Sequence, residues 1–110
     1  MLIAEAVRTQ PQRWRPLTRA VRGLVAAMSQ ESAREEMSSR EFYERVRLAV
    51  RTPSLAAAMR TAGQQTERAI AEALIVPGVD GAAARAAAGA VMGAASRTVQ
   101  IGRASCRERV

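Results

Sequence analysis

The chain contains no histidine and no lysine, a single cysteine, and three aromatic residues, Trp14, Phe42 and Tyr43. Without histidine there is no imidazole base, no Cys/His zinc set and no serine–histidine pair. The lone Cys106 has no partner for an internal disulfide and says nothing about redox compartment. No apolar run approaches the ~18 residues that a bilayer-spanning helix needs. The opening stretch is short, carries Glu5 and runs straight into Arg8, which is unlike a signal peptide. These features lead us to expect a soluble, cytoplasmic protein with no membrane partner, no cofactor and no metal. Acidic residues are present at Glu35, Glu36, Glu41 and Glu44, but no nucleophile, metal ligand or base accompanies them, so they read as helix-surface charges rather than as an enzyme's carboxylates.

All 17 basic residues are arginine, against 10 acids, a formal net charge of +7. Alanine dominates the remainder. Arginine and alanine share GC-rich codons, which points to a high-GC bacterium and weakens any inference from arginine content to chemistry. Arg8, Arg13, Arg15, Arg19 and Arg22 crowd the first 22 residues beside one acid, Glu5. Such a cluster suits phosphate contact or a solvated helix face. Trp14 is the only aromatic among these arginines, so stacking on single strands is poorly supported. The length allows one domain with a small core.

No segment alternates apolar and polar residues over strand length, and β-branched and aromatic residues are scarce. The pattern is helical throughout and predicts an all-α antiparallel or orthogonal bundle of about four to five helices. A short helical piece over 2–9 ends before Pro11, and Pro11 and Pro16 bracket a loop holding Trp14. Leu17, Ala20, Val21, Leu24, Val25 and Met28 then make one apolar stripe at helical spacing, with Arg19 and Arg22 outside it. Residues 30–37 are polar and acidic, a short exposed helix or a loop. Ser38 and Glu41 read as a capping box for the next helix. Its expected buried stripe is Phe42, Tyr43, Val46, Ala49 and Val50, and Arg40–Glu44 and Glu41–Arg45 are possible i, i+4 pairs. Pro53 stops that helix and restarts another, with Thr52 as N-cap. This long helix runs to about Leu74, with Leu55, Ala58, Met59, Ala62, Thr66, Ala69, Ile70 and Ala73 inward. Pro77-Gly78 is a turn signal. Asp80 is placed to cap a last helix over 81–98, rich in small residues, in which Gly89 and Gly93 suggest tight backbone packing.

Residues 101–110 read IGRASCRERV. Back-translated as ATC GGA AGA GCG TCG TGT AGG GAA AGA GTG, they resemble a sequencing-adapter oligonucleotide read through in frame, with Gln100 fitting the same string. On that reading 100–110 is a scar outside the fold. Its three arginines and one glutamate leave with it, and the net charge falls from +7 to +5.

The order of helices around Arg45-Val46-Arg47-Leu48 and Thr52-Pro53-Ser54-Leu55, continuing through 67–74 and from Asp80 onward, resembles the regulatory half of TetR-type bacterial transcriptional repressors. The likeness covers 17–98 loosely and 40–74 more specifically. It implies that 1–16 is the end of an inter-domain linker helix with its loop, and that 17–99 is the ligand-binding and dimerisation domain. The DNA-reading helix-turn-helix would lie outside this chain, so no DNA-binding residue is assigned here. A pocket for a small apolar or amphipathic ligand is then expected among the helices at 17–29, 40–51 and 53–74. Its candidate lining is Leu24, Met28, Phe42, Tyr43, Val46, Met59 and Ala62, with the Tyr43 hydroxyl placed to orient a ligand. Ala88, Val91, Met92 and Ala95 are the candidate homodimer face. In the intact repressor the ligand would shift the population of domain arrangements and release DNA. The other class the composition allows is a free-standing basic helical interaction module, an adaptor or a nucleic-acid-associated protein.

Overall fold

The computed structural model describes the backbone of residues 3–108 and the side chains of residues 3–98. Six helices follow one another: α1 (Ile3–Arg8), α2 (Pro16–Met28), α3 (Glu31–Ser38), α4 (Arg40–Arg51), α5 (Pro53–Leu74) and α6 (Gly81–Glu108). No strand occurs among the described residues. The all-α bundle is the architecture expected from the pattern, with the polar 31–38 segment helical rather than a loop.

Proline and short capping side chains set most of the boundaries. Pro16 and Pro53 each occupy the first turn of a helix, where the missing N–H has no intrahelical role. Thr52 stands at the N-cap of α5, but its side chain makes no capping hydrogen bond. Gly78 takes a φ of 89°, a left-handed conformation that glycine enters without a Cβ penalty, and it turns the chain from α5 into α6. Asp80 Oδ1 accepts a hydrogen bond from the Ala82 N–H at 3.2 Å and caps α6.

Two boundaries depart from the sequence expectation. The N-cap of α4 is Ser39, not Ser38: Ser39 Oγ accepts from the Phe42 N–H at 3.1 Å. Ser38 is still inside α3, and its hydroxyl donates back to the Arg34 carbonyl at 2.8 Å. The helix α6 does not stop at Thr98 but continues to Glu108, with no proline to interrupt the segment.

The core lies at one end of the bundle. Ala4 and Val7 of α1, Ala20 of α2, Ile70, Ala71, Ala73 and Leu74 of α5, and Ala84, Ala87, Ala88 and Val91 of α6 form one buried cluster. Leu24, Ala69, Val79 and Met92 pack against it, half-buried. Alanine supplies most of these positions, so the helices approach closely and each contact buries little area.

Close approach also explains why α2 is turned away from its apparent stripe. A Cβ on Gly23 would lie 2.5 Å from Val7 Cγ2 and 2.8 Å from both Val7 Cα and Val7 N. The α1 backbone therefore rests directly on α2 at Gly23. This contact directs Ala20, Gly23 and Ala27 inward. Leu17, Val21 and Val25, expected in the stripe, are 51%, 44% and 52% exposed. Arg19, expected outside it, is 2% exposed. Its Nη2 donates to the Val7 carbonyl at 3.2 Å, near the C-terminal, negative end of α1. Nε and Nη1 of Arg19 are buried without a hydrogen-bond partner among the described residues.

The far half of the molecule is thinner. Along α5 only Ile70, Ala71, Ala73 and Leu74 are buried, while Leu55 and Met59 of the expected inner face are 42% and 48% exposed. In α4 only Ala49 is buried. Phe42 and Val46 are half-buried, and Tyr43 and Val50 are exposed. The cause is positional: the first part of α5 lies beyond the reach of α1 and α2 and meets α4 on one side, so one flank of each helix stays uncovered.

Candidate ligand trough between α4, α5 and α6

Where the helices diverge away from the core, they leave an open trough of about 690 Å³. That volume falls in the ~300–1,000 Å³ range of small-molecule sites. The helix α4 contributes Val46, Ala49 and Val50 to one wall. The floor comes from α5 with Ala56, Met59, Arg60, Gly63, Gln64 and Glu67, a set at i, i+3, i+4, i+7, i+8 and i+11 that shares one helical face. The second wall comes from α6 with Gly89, Met92, Gly93 and Ser96.

Three of these lining residues are glycines inside helices, where each costs about 1 kcal/mol relative to alanine. Tight packing was the sequence expectation for Gly89 and Gly93, and the structure corrects it. A Cβ on Gly63 or on Gly93 would meet nothing within 4 Å. At Gly89 a Cβ would meet only a side-chain end, Glu67 Oε1 at 2.8 Å. None of the three has a positive φ, and none is pressed against a neighbouring backbone. Their common effect is to widen the trough.

The polar groups of the trough are unevenly placed. Glu67 is half-buried, and its carboxylate lies over Gly89 of α6. Among the described residues Glu67 has no ion-pair partner: the salt bridges run between Arg40 Nε and Glu44 Oε1 at 3.4 Å and between Arg45 Nη2 and Glu36 Oε1 at 3.9 Å. Both are solvent-exposed, and such pairs contribute little. The first is the expected Arg40–Glu44 pair, whereas Arg45 reaches back to α3 rather than to Glu41. Arg60 stands exposed seven residues before Glu67, about 10 Å along the α5 axis at 1.5 Å per residue.

Of the expected pocket residues, the structure brings Val46 and Met59 to the trough. Leu24 packs on the core and Met28 sits half-buried at the end of α2. Phe42 lies half-buried one turn before Val46 and outside the lining, Tyr43 is 38% exposed, and Ala62 faces solvent off the trough stripe of α5. The expected wall from 17–29 is absent, because α2 is engaged with α1 and α6 at the core end; α6 takes its place. The expected dimer face is corrected as well. Ala88 and Val91 are 0% and 3% exposed and belong to this chain's own core, Met92 lines the trough, and Ala95 is half-buried. The face that α6 directs at Ile70 and Leu74 is not available to a second chain. Arg8, Arg13, Arg15 and Arg22 are exposed, so burial of Arg19 removes one member from the basic cluster.

No cluster of metal-ligating side chains occurs among the described residues, and no helix there is long and apolar enough to cross a membrane. The architecture is that of an all-α bundle with an amphipathic trough at one end. Comparisons with protein-family models, curated proteins and solved structures each return no match.

Proposed function

We propose that this chain is a ligand-sensing helical domain, of the kind that controls DNA binding in TetR-type repressors, and that the trough is its ligand site. The observation that carries the proposal is the placement of Gly63, Gly89 and Gly93. Each weakens its helix, and neither backbone geometry nor a close helix contact requires any of them. A ligand seated between α5 and α6 gives them a reason. The apolar walls of Val46, Val50, Met59 and Met92 with a few polar groups on the floor suit a small amphipathic molecule. Because the trough spans three helices, a bound ligand would favour the arrangement in which α4 lies closest to α6. That differential affinity is what a sensing domain needs to shift a population of conformations. Homodimerisation, which the same reading includes, would use a surface other than the buried Ala88 and Val91.

The test is binding of a neutral environment-sensitive dye, Nile red, to the wild-type chain and to the double variant Gly63→Leu/Gly93→Leu. Both substitutions place side chains into open space, so the fold is retained, as circular dichroism would verify. Saturable binding that disappears in the variant supports the site. Equal binding by both places the dye on another surface and removes the trough as the ligand site.

A further inference from the structure

We infer that the ligand of this trough is an organic cation with an apolar body, its positive charge held at Glu67. The inference rests on the trough being a ligand site and adds the sign of the ligand's charge. In a chain of net charge +7, Glu67 is the acid that lines the trough, half-buried and with no ion-pair partner among the described residues. Among the described residues no arginine pairs with it; Arg60, which also lines the trough, is exposed and sits about 10 Å away along α5. A carboxylate partly removed from water and left without a counter-charge favours a cation beside it, more strongly than an exposed carboxylate does.

Gly89 makes the seat. With no Cβ there, Glu67 Oε1 occupies the position that a side chain on α6 would contest at 2.8 Å. Three residues on, Met92 shares that wall, and Val46, Val50 and Met59 lie across and along the floor. The charge site is thus at one end of an apolar surface, which matches a ligand with a cationic end and a bulky hydrophobic remainder. Arg60 on the same floor and the net positive charge of the chain repel such a ligand at long range, so its preference for the site would be local, short-ranged and little helped by steering.

Tetraphenylphosphonium and tetraphenylborate have the same shape and opposite charge, and they separate the local carboxylate from the net charge of the chain. The net charge alone favours the borate. We expect calorimetry to show tetraphenylphosphonium binding more tightly by roughly tenfold or more, the order of one partly desolvated charge contact. Glu67→Gln, isosteric and uncharged, should abolish that preference, with the helical fold retained by circular dichroism. Gly89→Ala should weaken tetraphenylphosphonium several-fold with an unchanged or higher melting temperature, since its Cβ displaces only the carboxylate. Nile red binding with no cation preference, or a preference unaffected by Glu67→Gln, overturns the inference and leaves the ligand site standing. Full affinity in Gly89→Ala overturns the seat described. Failure of Nile red to bind the wild type removes the ligand site, and the inference with it.

Discussion

Replacing Gly23 by alanine tests the contact that orients the whole N-terminal half. The added methyl carbon would lie 2.5 Å from Val7 Cγ2 and 2.8 Å from Val7 Cα and N. Relaxed carbon contacts sit near 3.5–4.0 Å, so α1 must retreat by about 1 Å. The Val7 side chain could rotate, but its main-chain atoms move only with the helix. Retreat loosens the packing of Ala4, Ala6 and Val7, now 8%, 1% and 0% exposed. It also stretches the Arg19–Val7 hydrogen bond, already 3.2 Å long. Overpacking of this kind costs about 1–3 kcal/mol, and a clash with main chain belongs at the upper end. Alanine returns about 1 kcal/mol through its better helix propensity. The net loss is about 2 kcal/mol, which lowers Tm by roughly 10 °C in a domain of this size. Thermal and urea denaturation followed by circular dichroism would measure it. Gly93→Ala is the control, because the same chemical change meets nothing within 4 Å and should raise stability by ~0.5–1 kcal/mol. If Gly23→Ala melts at or above the wild type, α1 does not rest on α2 as described.

Ser39→Ala removes the hydroxyl that accepts from the Phe42 N–H and should cost ~0.5–2 kcal/mol. Ser38→Ala should stay within about ±0.5 kcal/mol; equal urea midpoints for the two variants would refute the cap assignment. Arg19→Met replaces a buried cation having one hydrogen bond by an apolar chain of similar length, and stability should rise by ~1–3 kcal/mol, since a poorly partnered buried charge carries a desolvation penalty. A fall in the urea midpoint would refute the assignment of Arg19 as a poorly partnered buried charge. Leu74→Ala, at a position with 0% exposure, should cost ~2–5 kcal/mol, and a loss under 1 kcal/mol would place the core elsewhere.

Helix boundaries were the most legible part of this sequence. Pro16, Pro53 and the Pro77-Gly78-Val79-Asp80 segment act through local backbone chemistry, which needs no tertiary knowledge. Facing was harder to read. In α2 the largest apolar side chains, Leu17, Val21 and Val25, dominate any periodicity argument, yet the helix turns on its smallest residues because only they admit α1. The burial of Arg19 follows from that rotation and is invisible to pattern. The capping-box pattern pointed to Ser38, and only the backbone geometry shows that the adjacent Ser39 caps α4 instead. Part of the trough was legible through Val46 and Met59. Its α6 wall was not, because glycines in an alanine-rich helix read equally as close packing or as open space. The alternation of Gly89 and Gly93 with the buried Ala88 and Val91 was the available signal: two faces of α6, one packed into the core and one where the glycines share the wall with Met92 and Ser96.

The thin anchoring of α4 has a consequence for cooperativity. Ala49, still 8% exposed, is the one buried residue of this helix, whereas Ile70, Leu74, Ala84 and Ala88 at the other end are wholly enclosed. Local opening free energies follow buried contact, so amides of α4 should exchange through small local openings and those around Ile70 through global unfolding. Trp14 reports from the α1–α2 end, while circular dichroism averages over every helix. The two probes should therefore give urea curves that do not superimpose, with helical signal lost first. The chain would then unfold in two tiers, and a single unfolding free energy would describe only the tier that contains the tryptophan.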